Sequence, residues 1–402
     1  MSQNPDKENL RNSFFRYLAQ TSPFPLSLEI QKARGIYLYD AAGKKYMDLI
    51  SGIAVSNIGH RHPKVIKAIK KQLDKYLHVM AYGEFIQEPQ ARLAEKLSML
   101  LPYPLDNVYF VNSGTEANEG AIKLARRVTG RRELISFQNS YHGSTLGSLS
   151  ISGNETKKYR YRPLMPGVTF LQFNDPGDLD KITDEAAAVI IEPIQGDAGV
   201  RIPSRNFMHQ LRQKCDQTGT MLIFDEVQTG FGRTGKLFAF EHFGVIPDIL
   251  TMAKAMGGGM PIGAFVASRE KMLEFSHDPI LGHITTFGGH PVHCAAGLAN
   301  LEVLIDDHII DQVEEKGVLF ENLLKHPAIR DFRRAGLMMA VEFESEEIVR
   351  KIVEKCLEYR VITFWFLSSV NSFRLAPPLT ISRKEIKKAC RLIRKAIKDV
   401  CS

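Results

Sequence analysis

Between residues 105 and 255 the chain passes through six short apolar stretches, at 107–111, 134–137, 168–171, 187–191, 220–224 and 248–252. None alternates apolar with polar residues. A strand with one wet face alternates, whereas a strand covered on both faces is apolar throughout. Helical stretches separate the six runs, and that succession predicts an α/β fold, a large, mostly parallel sheet clad in helices. Before residue 60 the pattern is irregular, with a turn at Ala42-Gly43-Lys44 and a short strand-like run at 35–39. A helix is expected from Pro63, carrying Val65, Ile66, Ile69, Leu73 and Tyr76 on one side. After a long helix over 292–304 the pattern changes. A strand at 337–343, a helix at 348–359, short strands near Val361 and Phe373 and a basic final helix predict a smaller α+β lobe. The expected division is 1–60, 61–300 and 301–402, within the 402 residues that such a two-lobed core requires.

The formal charge is +7, and the stretch 382–398 is locally very basic. There, Ile386, Cys390, Ile393 and Ile397 fall on one helical face, so the cations form the solvated side of a packed helix rather than a nucleic-acid surface. Five scattered cysteines with no CxxC pair point to neither a disulfide framework nor a metal site, and fit a reducing cytoplasm. No apolar run approaches the roughly 20 residues that span a bilayer. The first residues lack the apolar segment of a secretory signal.

Three of the apolar runs end in a charged residue: Glu192, Asp225 and Lys254. Ligands of open α/β sheets bind outside the carboxyl ends of the strands, so three such residues in succession mark a candidate site. The run at 107–111 leads into Asn112-Ser-Gly-Thr-Glu-Ala-Asn118 and a helix. Ser113, Gly114 and Thr115 thus lie at a helix N-terminus, which favours a phosphate as well as an ordinary cap. A phosphate cradle, an amine and a carboxylate together suit pyridoxal phosphate. That cofactor needs an anion site, an amine for its aldehyde and an anion against its ring nitrogen.

The order and spacing of Asn112-Ser-Gly-Thr-Glu-Ala-Asn118, Tyr141-His-Gly, Glu192-Pro-Ile-Gln-Gly, Asp225-Glu-Val-Gln-Thr-Gly-Phe-Gly-Arg-Thr-Gly235, Lys254 with its glycine-rich turn, and Thr286-Phe-Gly-Gly resemble class III aminotransferases. The resemblance runs from about Gly35 to the final helix. It implies a fold-type-I homodimer whose smaller domain is built from both chain ends, acting by a ping-pong mechanism on an amine donor and a 2-oxo acid, with 2-oxoglutarate the expected acceptor. It further implies Lys254 as the lysine bearing pyridoxal 5'-phosphate and Asp225 as partner of the ring nitrogen. Ser113, Gly114 and Thr115 would serve the phosphate, and Tyr141 would stack on the ring beside His142. Val227 and Gln228 would line the cofactor, Glu192 would position ring and substrate, and Thr286 would reach the neighbouring subunit's phosphate. Arg374 resembles the arginine that grips an α-carboxylate, which a planar guanidinium can hold bidentately.

Two positions depart from the relatives resembled. Ser144 stands where an arginine for the donor's carboxylate is expected, leaving Arg160 or Arg162 as other sources of that charge. Asp197 replaces the glutamate that masks the arginine matching Arg374, and, one methylene shorter, is expected to fall short of it. Racemase, mutase or decarboxylase chemistry on the same cofactor is the alternative, with Arg374 favouring transamination. The run Gly230-Phe-Gly-Arg-Thr-Gly235 also fits a dinucleotide fingerprint, but the aromatic, Gly- and Pro-broken sequence after it does not read as the required helix.

Overall fold

The computed structural model describes residues 10–81 and 83–401. A short helix, Leu10–Tyr17, precedes three strands, β1 (Ile30–Arg34), β2 (Tyr37–Asp40) and β3 (Lys45–Asp48), paired antiparallel in succession. The main sheet then takes β4 (Asn107–Val111), β5 (Glu133–Phe137), β6 (Val168–Leu171), β7 (Ala186–Ile191), β8 (Met221–Asp225), β9 (Ile249–Met252) and β10 (Gly263–Ala267). Their spatial order is β4-β10-β9-β8-β7-β5-β6. From β9 to β6 every pairing is parallel, while β10 lies antiparallel to both β9 and β4.

The unbroken apolar runs have a direct cause. On β8, Leu222 and Phe224 enter one buried cluster while Met221 and Ile223 enter another, and β7 divides Val189 and Ile191 from Ala188 and Ile190 in the same way. Successive side chains point to opposite faces of a strand, so two covered faces require an apolar residue at every position. Each of the six predicted runs overlaps a strand. The five-residue β10, emerging from a glycine-rich turn, was not anticipated.

The C-terminal part forms β11 (Asp331–Ala335), β12 (Met338–Glu342), β13 (Val361–Ile362), β14 (Phe364–Trp365) and β15 (Ser372–Leu375). Four of these make an antiparallel sheet in the order β11-β12-β15-β14. β13 instead pairs in parallel with β3, joining the two ends of the chain. Ala376 N–H extends the junction to the Leu49 carbonyl at 2.6 Å. The final helix, Arg383–Cys401, buries Ile386, Cys390, Ile393 and Ile397 as its periodicity predicts.

Arg233 sits where these parts meet and is fully buried. Its Nη1 donates to the carbonyls of Leu337 (3.0 Å) and Pro377 (2.6 Å), and its Nη2 to Asn57 Oδ1. This arginine belongs to the glycine-rich fingerprint lookalike, which leads into a short 3-10 turn at Ala239–His242 rather than an α-helix. Among the described residues no helix is long and apolar enough to cross a membrane, and no group of three or more His, Cys, Asp or Glu could hold a metal. All five cysteines are unpaired.

Candidate active site

The carboxyl ends of the main strands open onto a cavity of about 500 Å³ lined by residues that include Asp225, Lys254, Glu192, Gly114, Tyr141 and Ser144. Asp225 is the last residue of β8, Glu192 directly follows β7, and Lys254 lies just beyond β9. Lys254 holds a left-handed backbone, φ 44°, a conformation that costs free energy in a residue with a Cβ and recurs at functional sites. Burial lowers its pKa, with Asp225 opposing, so the amine is pushed towards its neutral, nucleophilic form.

Asp225 is held from three directions. Its Oδ2 accepts from His142 Nδ1 (2.7 Å) and Asn118 Nδ2 (2.8 Å), and its Oδ1 from Val227 N–H (3.0 Å). Asn118 is fixed in turn, donating to the His142 carbonyl (2.7 Å) and accepting from Thr251 Oγ1 (2.7 Å). The ionised carboxylate requires a proton on His142 Nδ1, while the buried Nε2 has no partner.

The helix Gly114–Thr129 begins at the cavity wall. Ser113 caps it, its hydroxyl accepting from Glu116 N–H at 3.2 Å. The first-turn N–H groups of Gly114 and Thr115 have no acceptor within the helix, which leaves a cradle for an anion. A Cβ on Gly114 would come within 2.6 Å of Val227 Cγ1, so only glycine lets Val227 approach this helix start. Glu192 accepts from the N–H groups of Tyr141 (3.0 Å) and Gly196 (2.8 Å). Burial pushes its carboxyl up to about 7, with His142 opposing and Asp225 adding. Gln228 also lines the cavity and packs against Gly196, whose added Cβ would lie 2.2 Å from Gln228 Oε1.

Arg374 comes from β15, and its Nη2 lies 2.6 Å from Asp197 Oδ1. Both residues are 5% exposed, and the guanidinium carbon stands 4.4 Å from the centre of the Phe366 ring. The shorter acid therefore does reach the arginine. Ser144 Oγ lies 3.2 Å from the Tyr141 hydroxyl. Among the lining residues, Lys254 alone carries a formal cation; Arg374 and Asp197 lie behind that lining, close enough for their charges to act on the Lys254 amine. Arg162 is gripped by Glu155 through bonds of 2.9–3.1 Å, and Arg160 Nε donates to Tyr159 OH at 2.8 Å. Neither lines the cavity. Thr286 also lies outside the lining, on an exposed segment beside the exposed Ile284 and Phe287.

Sequence reading missed Asn118, Thr251 and Val55. A signal existed for Asn118, one polar residue within the apolar face Ala117, Ala121, Ile122 and Leu124 of its helix. Val55 follows a run in which Ser51, Gly52, Ile53 and Ala54 all have positive φ, a turn without a recognisable composition.

The aminotransferase class-III family profile matches residues 17–397. The chain belongs to the class III aminotransferases. Acetylornithine aminotransferase of Methanocaldococcus jannaschii is 43% identical over 378 residues, covering 90% of this chain and 91% of the relative. The [LysW]-aminoadipate semialdehyde/glutamate semialdehyde transaminase of Sulfurisphaera tokodaii is 38% identical, covering 92% and 95%. Among solved structures, ornithine aminotransferase from Toxoplasma gondii superposes with a TM-score of 0.90 at 29% identity, covering 97% of this chain and 94% of that one. A transaminase from the marine bacterium Virgibacillus gives 0.91 at 29%, covering 96% and 98%. This aminotransferase has the type I fold, depends on pyridoxal phosphate and exchanges an amino group with a 2-oxo acid. The cavity suits that cofactor: an amine of lowered basicity, a fixed carboxylate and free first-turn N–H groups face one space.

Proposed function

We propose that this aminotransferase takes its amino group from an ω-amine donor not anchored by a carboxylate, such as a diamine, and passes it to 2-oxoglutarate. The observation that carries this reading is Ser144: a neutral hydroxyl stands in the cavity wall where a cation would hold the donor's carboxylate. Arg374 receives the acceptor's α-carboxylate, and Asp197 covers that guanidinium when no carboxylate is bound. When bound, pyridoxal phosphate supplies an electron sink for the substrate carbon that loses its proton. Lys254 holds the cofactor between turnovers and carries the proton between substrate carbons. Asp225, steadied by His142, keeps the ring nitrogen protonated. Ser113, Gly114 and Thr115 would hold the phosphate, Tyr141, Val227 and Gln228 would hold the ring, and Glu192 would orient ring and substrate. Thr286 completes the phosphate site of the other subunit in a homodimer. Residues 61–300 make the large domain, and 1–60 with 301–402 the small one. A cytoplasmic setting fits five unpaired cysteines.

The second reading is acetylornithine as donor, favoured by the activity of the 43% identical relative. The two are separated by steady-state kinetics of holoenzyme with putrescine, ornithine and acetylornithine against 2-oxoglutarate. The diamine should be preferred, and Ser144→Arg should raise kcat/KM for acetylornithine about ten- to a hundredfold, the worth of one charge-assisted hydrogen bond. Efficient acetylornithine turnover by the wild type would decide for the second reading.

A further inference from the structure

Asp197 is not held by Arg374 alone. The turn between β14 and β15 supplies two more partners: Leu367 N–H donates to Asp197 Oδ1 and Ser368 Oγ to Oδ2, both at 3.2 Å. The same turn carries Phe366, whose ring lies against the Arg374 guanidinium. One short stretch of chain therefore grips both halves of the ion pair.

The direction of the Ser368 hydroxyl is fixed by its surroundings. Asn154 Oδ1 accepts from Thr156 N–H (3.1 Å) and Thr156 Oγ1 (2.7 Å), which turns its amide nitrogen outward. That nitrogen donates to Ser368 Oγ at 2.8 Å. With its oxygen already accepting, the hydroxyl has one proton to give, and Asp197 receives it. Donation runs one way, from Thr156 through Asn154 and Ser368 to Asp197, whose other oxygen accepts from Arg374 on the far side.

We propose that Ser368 is a positioning residue for substrate selection: its hydroxyl, oriented by Asn154, sets how readily Asp197 leaves Arg374. This inference rests on the assignment of Arg374 as the acceptor's carboxylate anchor. A 2-oxo acid must displace Asp197 from the guanidinium, and the carboxylate then gives up its geometry at Leu367 and Ser368 as well. A donor without a carboxylate at that end needs the opposite state, because an uncovered guanidinium in a buried site is costly. One hydroxyl therefore weights the two half-reactions in opposite senses. It also does for Asp197 what a longer side chain would do through reach, tethering the carboxylate where it can return.

The test uses holoenzyme. Ser368→Ala should lower KM for 2-oxoglutarate about three- to tenfold and raise KM for the ω-amine donor, the scale of one long hydrogen bond to a carboxylate. Calorimetric affinity for glutarate, a non-reacting dicarboxylate, should strengthen in step with the fall in acceptor KM. Asn154→Ala, which frees the hydroxyl to rotate, should move both constants in the same senses but less, and serves if Ser368→Ala does not fold. Ser368→Thr should return wild-type values. A purely structural role would worsen both substrates together, and that result, or no movement in either KM, overturns the proposal. Arg374→Ala run in parallel separates the failures. If it raises acceptor KM while the Ser368 and Asn154 variants leave it alone, the positioning role falls and the function stands. If it leaves acceptor KM unchanged, both fall.

Discussion

Asp225→Ala and Asp225→Asn should damage the enzyme in separable ways. The alanine variant strips the acceptor from His142 Nδ1 and from one Asn118 amide proton, both buried, and from Val227 N–H. Each buried donor left unsatisfied costs about 1–3 kcal/mol, so the two side-chain donors alone predict a loss of about 2–6 kcal/mol in unfolding free energy. Asparagine keeps one oxygen, which can take the Oδ2 position and accept from His142 and Asn118. Its amide nitrogen then faces Val227 N–H, one orphaned donor instead of several, for a loss of about 1–3 kcal/mol. Catalysis should not follow that ranking, because both variants lose the charge. Loss of the anion that we assign to the cofactor's ring nitrogen should slow proton abstraction roughly a hundredfold or more, about 2.7 kcal/mol of barrier. Urea unfolding of the apoprotein measures the first quantity and a single-turnover half-reaction of holoenzyme with amine donor the second. An asparagine variant within a few-fold of the wild-type rate would refute the role of the charge, and equal stability losses in the two variants would refute the bonding account.

Lys254→Ala should abolish multiple turnover, and borohydride reduction of wild-type holoenzyme followed by peptide mapping should place the cofactor on Lys254; a label on another lysine refutes the assignment. Glu192 is raised to about 7 by burial, so between pH 4.5 and 7 the folded apoprotein binds more protons than the unfolded chain and this group's contribution to stability falls as pH rises. Glu192→Gln should remove that slope, seen as a difference from wild type that is flat below pH 4.5 and changes up to about 7 in urea titrations; a parallel pair of curves refutes it. Sedimentation should find the active species to be at least a dimer, as the role proposed for Thr286 requires, and a fully active monomer removes that assignment.

What could be read from the sequence was whatever burial or charge made locally unusual. β7, β8 and β9 announced themselves because two covered faces leave no position for a polar residue, and Glu192, Asp225 and Lys254 stood out where those runs ended. β10 carried no comparable contrast, since Gly263-Ala-Phe-Val-Ala267 is too short and follows glycines. The network around Asp225 was half legible. His142 belongs to the Tyr141-His-Gly motif, but Asn118 and Thr251 meet only after a helix is laid across the sheet, 133 residues apart in the chain. The Asp197–Arg374 pair shows the other limit. Side-chain length suggested too short a reach, yet reach depends on where two backbones are placed, and packing set them close enough for a 2.6 Å contact.

The pairing of β3 with β13 also has a consequence for how the protein comes into being. Ser51 bonds to the Ala376 carbonyl across 325 residues of chain, and Val55, a few positions on, forms part of the active-site wall. The full set of bonds behind that wall is made only when nearly the whole polypeptide has left the ribosome. Contacts of such separation form late, after the loop entropy between them has been overcome. A nascent chain halted before residue 361 would lack the Ser51–Ala376 bond and the β3–β13 pairing that brace the Val55 side of the cavity. Bracing of the cofactor cavity on that side is thus among the last features the chain acquires, and loss of the final strand and helix removes it.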